Sequence, residues 1–365
     1  MANSPHCLLL DQVTIVPFQN LSFACYDQEG LLIKEALLFR TFGSPFKVAP
    51  PPKSVVEHKG EVIFAGFFFK QYGHFLLESL ARLWYAKDHP DLPIAFVGRD
   101  GLILDFQAYI FKLLGLKNEF IFVDQSVRFA KVHLPSPGFI SQGLCYPWQV
   151  EFLGQYPKAH PLSSKAIYLS RKRFGGDSGL LNENELEKAL KSQGIHIFYP
   201  EEHPLEIQLQ ILNNASQILA LEGSALHTLI LLKEVKSQVV IIPRPNQRPN
   251  LNYLGIAQAK GFQQCYLPAK DLYDDLQTLK DSHLNFTAKL NIERLLSYLS
   301  SSWEPYSLYA NLYLKHPEII DLKTDPAKKA LARLEEQNSI LKAKISALSL
   351  ENKKLQHYLT KVTRN

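Results

Sequence analysis

From residue 60 onward, short apolar runs alternate with amphipathic segments, and no other property of this chain restricts its fold so sharply. "EVIFAGFFF" reads as a buried strand, "GHFLLESLARLWYAKDH" as an amphipathic helix and "LPIAFVG" as another buried strand, with "DFQAYIFKLLGL" and "EFIFVD" continuing the pattern. On the helix, Phe75, Leu76, Leu80, Leu83 and Trp84 share one face, whereas Glu78, Arg82 and Lys87 need not be buried. A loop rich in Gly and Pro, "PSPGFISQGLCYPWQ", interrupts the alternation. It then restarts with "KAIYLSR", "NENELEKALKSQG", "IHIFYP", "PLEIQLQILNNAS", "QILAL" and "QVVIIP". Strand alternating with helix in this way is the pattern of a parallel α/β sheet.

Two such blocks predict two Rossmann-like lobes, whose ligands sit beyond the carboxyl ends of the strands, so the cleft between lobes is the expected active site. The expected organisation is an N-terminal α/β lobe over 1–155, with a strand-rich start over 1–58, and a second α/β lobe over 160–300. A connecting helix or linker over 301–325 and a coiled coil over 326–365 follow. Leu8 to Arg40 alternates in short bursts that suggest strands, and "VAPPPKSVVEH" marks an exposed extended loop. "IERLLSYLSSSWEPYSLYANLYLKH" is apolar enough to pack as helix across one or both lobes.

The last segment has the strongest period. Leu334, Leu341, Leu348 and Leu355 fall at d of a heptad, which puts Leu331, Asn338, Ile345, Asn352 and Leu359 at a. Leu at d with Asn at two a positions favours a parallel two-stranded coiled coil, because a buried Asn is satisfied best by its mate in register. A homodimer through residues 331–362 is therefore expected. A single helix folded back onto the globular part would use the same stripe, but its two Asn would need other partners.

Composition narrows the function. Of 365 residues, 46% are apolar and 21% charged, as in ordinary soluble globular proteins. No apolar run reaches the roughly 18 to 20 residues of a membrane span, and "MANSPHCLLLDQVTIVPF" does not read as a signal peptide. A cytoplasmic protein is expected. Cys7, Cys25, Cys145 and Cys265 lack close pairing and read as reduced thiols without a zinc site. Of the net charge of +5, residues 323–365 carry more than all, which leaves the globular part near neutral. That argues against nucleic acid as a partner. The basic tail reads first as a solvated helix surface, and second as a peripheral contact with anionic lipid on the inner face of the membrane or with an acidic polymer.

Three stretches hold groups that can do chemistry. In "QILALEGSALHTLILL", Glu222-Gly223-Ser224-Ala225 turns a buried strand straight into a helix, and its exposed N–H groups and small side chains admit an anion such as phosphate. The same turn with Ser224 as a plain N-cap is the alternative. In "IYLSRKRFGGDSG", Arg171, Lys172 and Arg173 follow a strand directly, where guanidinium groups can pair with a diphosphate. In "QYGHFLLES", His74 opens a helix and Glu78 follows at i+4, a spacing that lets the carboxylate orient an imidazole acting as general base.

"YGHFLLESLARLW", "YLSRKR" followed by "LLNENEL", and "EIQLQILNNASQILALEGSALHTLI", in that order, resemble the glycosyltransferase family 61 domain, the group that includes bacterial capsule-type sugar transferases. The resemblance implies a two-lobed GT-B fold, a nucleotide-sugar donor held by the second lobe, an acceptor on the first, and inversion at the anomeric carbon. By motif match it places His74 and Glu78 on the family's H-x-x-x-E helix, Arg171 on its strand-end arginine, Asn182 and Glu183 on its N-E pair, Gln208 on its helix glutamine, and Gly223, Ser224 and Ala225 on its small-residue turn. Two departures stand out: Ser178 and Gly179 replace a further Arg, and Glu222 stands where many members have His. Lys172 or Arg173 is the replacement charge at hand, Glu222 can accept from a ribose or sugar hydroxyl, and His227 either faces the donor or is a buried structural histidine. No D-x-D pair occurs, so cationic side chains are expected to neutralise the diphosphate, with no metal and no cofactor beyond the nucleotide-sugar itself.

The expectation is thus an inverting glycosyltransferase acting on a glycan or glycoconjugate in surface polysaccharide biosynthesis. One alternative keeps the fold and transfers another group from an activated donor. Another is a degenerate transferase domain serving as a coiled-coil-tethered scaffold or carbohydrate-binding module.

Overall fold

A computed structural model describes residues 4–41, 43–157, 165–173, 179–245, 250–267, 269–273 and 287–300. The expected linker and coiled coil, and with them the dimer seam, lie outside the described residues. All described residues fall in one compact unit of the chain.

Among the described residues, the first sheet has seven strands in the order β3-β2-β1-β7-β4-β5-β6. These are β1 Cys7–Gln19, β2 Ser22–Tyr26, β3 Lys47–Val48, β4 Val56–Phe68, β5 Ile94–Gly98, β6 Phe120–Val123 and β7 Val127–Pro135. The half β7-β4-β5-β6 is parallel, as the alternation predicts. The strand-rich start adds an antiparallel pair, β1 to β2 and β1 to β7, so the sheet is mixed. A small hairpin follows, β8 Phe139–Ile140 with β9 Leu144–Cys145.

The second sheet is wholly parallel, in the order β12-β10-β13-β14-β15. Its strands are β10 Ala166–Leu169, β12 His196–Phe198, β13 Gln217–Leu221, β14 Gln238–Ile242 and β15 Gln264–Tyr266. A separate parallel pair joins β11 Gly179–Leu180 to β16 Thr287–Ala288. Counted along the chain, the second sheet runs two-one-three-four-five. The order reverses between β10 and β13, and that switch point is where open α/β sheets bind ligands.

Both faces of the second sheet are covered, which is why its strands lack alternation. Ile218 and Ala220 of β13 join the large core that also takes in Phe64, Phe75 and Phe96 of the first block, while Leu219 and Leu221 join a smaller one with Tyr168, Val240 and Leu186. Phe64, Phe75 and Phe96 are fully buried, each contributing roughly 1.5–3 kcal/mol of transfer free energy. The helix Ile292–Ser300 packs into the smaller core through buried Leu295; the rest of that apolar stretch lies outside the described residues. The four cysteines are unbridged, and no helix among the described residues is long and apolar enough to cross a membrane.

The segment expected to be one regular amphipathic helix is not. Tyr72–His74 is α-helical, Phe75–Ser79 forms a π-type turn and Leu83–Asp88 is 3-10. The Leu80 N–H bonds to the Phe75 carbonyl, five residues back, at 3.2 Å. Two side chains account for the distortion. Ser79 is clamped to the end of β4, its hydroxyl donating to the Phe67 carbonyl and accepting from the Phe69 N–H, both at 2.9 Å. Arg82, which the helical wheel left free to be exposed, is buried and donates to the carbonyls of Pro135 and Glu35. Glu78 is buried as well, with partners described below. Amphipathic spacing assigns faces, and it cannot foresee a charged group that finds partners inside.

Candidate active site

Glu78 lies one turn beyond His74, with a side chain only 2% exposed, and its carboxylate is the hub of the site. It accepts from Arg40 twice, Nε to Oε1 at 2.7 Å and Nη2 to Oε2 at 2.9 Å. It accepts from His74 Nδ1 at 2.5 Å. This bond places the imidazole proton on Nδ1 and leaves Nε2 as the proton acceptor. Burial by itself would raise the Glu78 carboxyl, but the hydrogen bonds from His74 and Arg40 outweigh it and hold the group below the usual carboxylate range. His74 remains 46% exposed on its side chain.

Arg40 carries no motif in "LLFRTFG" and was not a sequence candidate. The fold brings it in from a loop that pairs with the small hairpin, Arg40 bridging to Ser141. Its guanidinium also lies over the Phe69 ring, 5.9 Å from the centroid.

The switch point supplies the second half of the site. Arg171 follows β10 directly and donates from Nη1 to the Glu222 carbonyl at 3.2 Å, which lays it across the Gly223 turn. A Cβ on Gly223 would stand 2.7 Å from that nitrogen, so the glycine is what lets the guanidinium close in. Arg244, just beyond β14, donates from Nε to the same carbonyl at 3.4 Å. Burial, and then the like charge of Arg244, lowers the Arg171 pKa. A basic residue directly after a strand was the signal that singled out Arg171; "IIPRPN" offers the same signal for Arg244.

The residues after Gly223 form a 3-10 helix, Ser224–Leu231, with Gly223 rather than Ser224 in the capping position and no side-chain cap bond. Segment 72–74 rests on it. Tyr72 Oη and Thr228 Oγ1 are 2.8 Å apart, and a Cβ on Gly73 would lie 2.9 Å from His227 Nδ1 and 3.1 Å from Ser224 Cβ. His74 is therefore held beside the Gly223-Ser224-Ala225 turn, although 149 residues separate His74 from Gly223 in the chain.

The remaining candidates have other engagements. Lys172 approaches Glu187 at 3.9 Å, and Arg173 bonds Glu202 while lying over the Tyr199 ring. Glu183 is buried and accepts from Tyr168, Ser170 and the Arg171 N–H at 3.0–3.1 Å, so it fixes the strand end that presents Arg171. Asn182 exchanges two hydrogen bonds with the Leu290 backbone. Gln208 holds the carbonyls of Pro200 and His203 at 2.8 and 2.9 Å. Glu222 is buried, accepts from the Tyr266 hydroxyl and the Arg244 N–H, and burial pushes its pKa up.

His227 is buried against the Tyr253 ring, 4.9 Å between centroids, and neither ring nitrogen has a hydrogen-bond partner among the described residues. Burial, with a smaller repulsion from His74, pushes its pKa down to about 3. An unfolded chain takes up this proton near pH 6.5, so between those values the unfolded state binds more protons and stability falls as pH falls. Denaturant titrations should show an acid limb beginning near pH 6.5. His227→Phe should flatten that limb by an amount on the order of 4 kcal/mol at pH 3; an unchanged limb would place the titration elsewhere.

Geometry thus defines an α/β protein with a candidate ligand site at a topological switch point, a cationic pair over the turn and a carboxylate-held imidazole beside it. Residues 72–241 match the family model of glycosyltransferase 61, so this stretch is similar to that family and the match supports a glycosyltransferase. The matched stretch contains His74, Glu78, Arg171 and the Gly223 turn, and leaves out Arg40 and Arg244. No curated protein matches the chain.

Proposed function

We propose that the protein is an inverting glycosyltransferase that moves a sugar from a nucleotide-sugar donor to a hydroxyl of a glycan or glycoconjugate, on a two-lobed GT-B frame and without a divalent ion. The observation that carries the reading is the juxtaposition, through Gly73, of the His74–Glu78 pair with the turn that Arg171 covers. His74 Nε2 takes the proton of the acceptor hydroxyl as its oxygen attacks the anomeric carbon. The bond to the diphosphate breaks on the opposite face, and Arg171 and Arg244, with the N–H groups of Gly223 to Ala225, receive the departing charge. Glu78 holds the imidazole and stabilises its protonated form, with Arg40 fixing Glu78 in turn. We also assign residues 331–362 to a parallel dimer seam, a cytoplasmic location, and a role in surface polysaccharide biosynthesis.

The test is calorimetric titration with a panel of nucleoside diphosphates, without added metal, on the wild type and Arg171→Ala. One nucleotide should bind, and the variant should bind it about tenfold more weakly or worse, the loss of one charge-assisted hydrogen bond. Binding to none would move the reading to a scaffold that has lost its donor site.

Gly223→Ala makes a finer test. Gly223 is extended at φ −173°, a conformation any residue adopts, so the added methyl displaces the Arg171 guanidinium rather than straining the chain. Stability should change by less than about 1 kcal/mol, while nucleotide affinity falls toward that of Arg171→Ala. Wild-type affinity in this variant would show that the guanidinium is not the contact.

A further inference from the structure

A cavity of about 600 Å³ lies at the other end of the segment that begins with His74, and the proposed chemistry does not use it. Trp84 and Trp148 form part of its wall, edge to face with centroids 5.4 Å apart, and Tyr146 stacks on Trp148 at 5.3 Å. Among the described residues, Lys87, Lys233 and Lys260 line it together with a single carboxylate, Glu151. The excess of positive charge is therefore local, in a globular part that is near neutral as a whole.

Lys260 marks the cavity as a polar site rather than a packing gap. Its ammonium is drawn inward and donates to the Ile230 carbonyl at 3.2 Å and, more weakly, toward the Val150 carbonyl at 3.4 Å. Burial pushes its pKa down to about 8. A nearby anion would offset that desolvation and restore the charge. Gly154 lets the chain pack closely beside this ammonium, since a Cβ there would stand 2.8 Å from the Val150 carbonyl oxygen and 2.9 Å from both the Leu232 carbonyl oxygen and Nζ.

We propose that this cavity binds an oligosaccharide carrying carboxylate-bearing sugars, with pyranose faces against the two indoles and carboxylates among the three lysines. Indole walls offer broad apolar faces beside polar edges, which suits a sugar ring. Lysines are compact point charges with rotatable donors, suited to carboxylates at varied positions, and among the described residues no arginine fork of the kind that favours a diphosphate lines the cavity. Trp84 follows His74 by ten residues through α, π-type and 3-10 turns, whose rises of at most roughly 2 Å per residue keep the two within about 20 Å, so a bound chain of several sugars can lie here while its end reaches the imidazole. Binding energy gathered at such a distance can position the reacting end. The assignment of this chain as acceptor rests on the transferase reading; its binding does not.

The test uses a galacturonic acid tetrasaccharide and its carboxyl-reduced neutral counterpart, followed by tryptophan fluorescence, since two of the three tryptophans wall the cavity. The wild type should bind the acidic form at least tenfold more tightly than the neutral one, with a fluorescence change. The exposed pair Lys87→Glu/Lys233→Glu should lose that binding at least tenfold with an unaltered circular dichroism spectrum, and Arg171→Ala should retain it. No acidic binding, equal binding of the neutral form, wild-type binding in the lysine variant, or displacement by a nucleoside diphosphate would each overturn the proposal. Should the nucleotide titration fail while the acidic sugar still binds, the cavity stands and the transferase reading falls.

Discussion

His74→Ala should lower turnover by about 100- to 10,000-fold, the span of a general base in a positioned site, and leave nucleoside diphosphate affinity within a factor of two or three. The split follows from geometry: the imidazole is bonded to Glu78, whereas Arg171 and Arg244 are the groups on the Glu222 carbonyl that flanks the turn. Turnover within threefold of wild type would exclude His74 as the base.

Arg40→Ala should be the most destabilising change of a partly exposed residue in the site. Glu78 is buried and held by two bonds from Arg40 and one from His74. Removing one partner of a buried pair leaves an uncompensated charge and costs about 3–5 kcal/mol; the lower end is expected, because the Arg40 side chain is 27% exposed and water can enter. The acid response has a definite sign. Because the Glu78 carboxyl is lowered in the folded protein, its contribution is present above the unfolded carboxylate pKa of about 4.3 and is lost as pH falls through the folded value. The variant should therefore lie well below wild type at pH 7, with a gap that narrows as the pH falls below the unfolded carboxylate value. Urea titrations across this range decide the matter: a deficit under about 1 kcal/mol at pH 7 would make the pair an ordinary surface contact. Turnover should fall too, since Glu78 would lose the partner that fixes it against the imidazole.

The sequence by itself determined the parts whose signal is local. Alternation of apolar runs with amphipathic stretches foretold the parallel strands from β4 to β6 and four of the five strands of the second sheet, because a strand buried on both faces must be apolar throughout; the short edge strand β15, Gln264–Tyr266, lacks such a run and was not foreseen. The i, i+4 spacing sufficed to pair His74 with Glu78, and strand-end position sufficed to mark Arg171. The one regular helix expected after Gly73 failed because Ser79 bonds to the preceding strand and Arg82 to backbone 53 residues on, contacts that no helical period encodes. Tertiary structure alone decided the rest. It carried Arg40 to Glu78 across 38 residues, set Gly73 on His227 and Ser224, and turned Glu183 and Asn182 from expected ligand contacts into the bonds that hold the strand end and the Leu290 backbone. A buried charge is tolerable only where partners converge on it, and that convergence is a property of the packed chain.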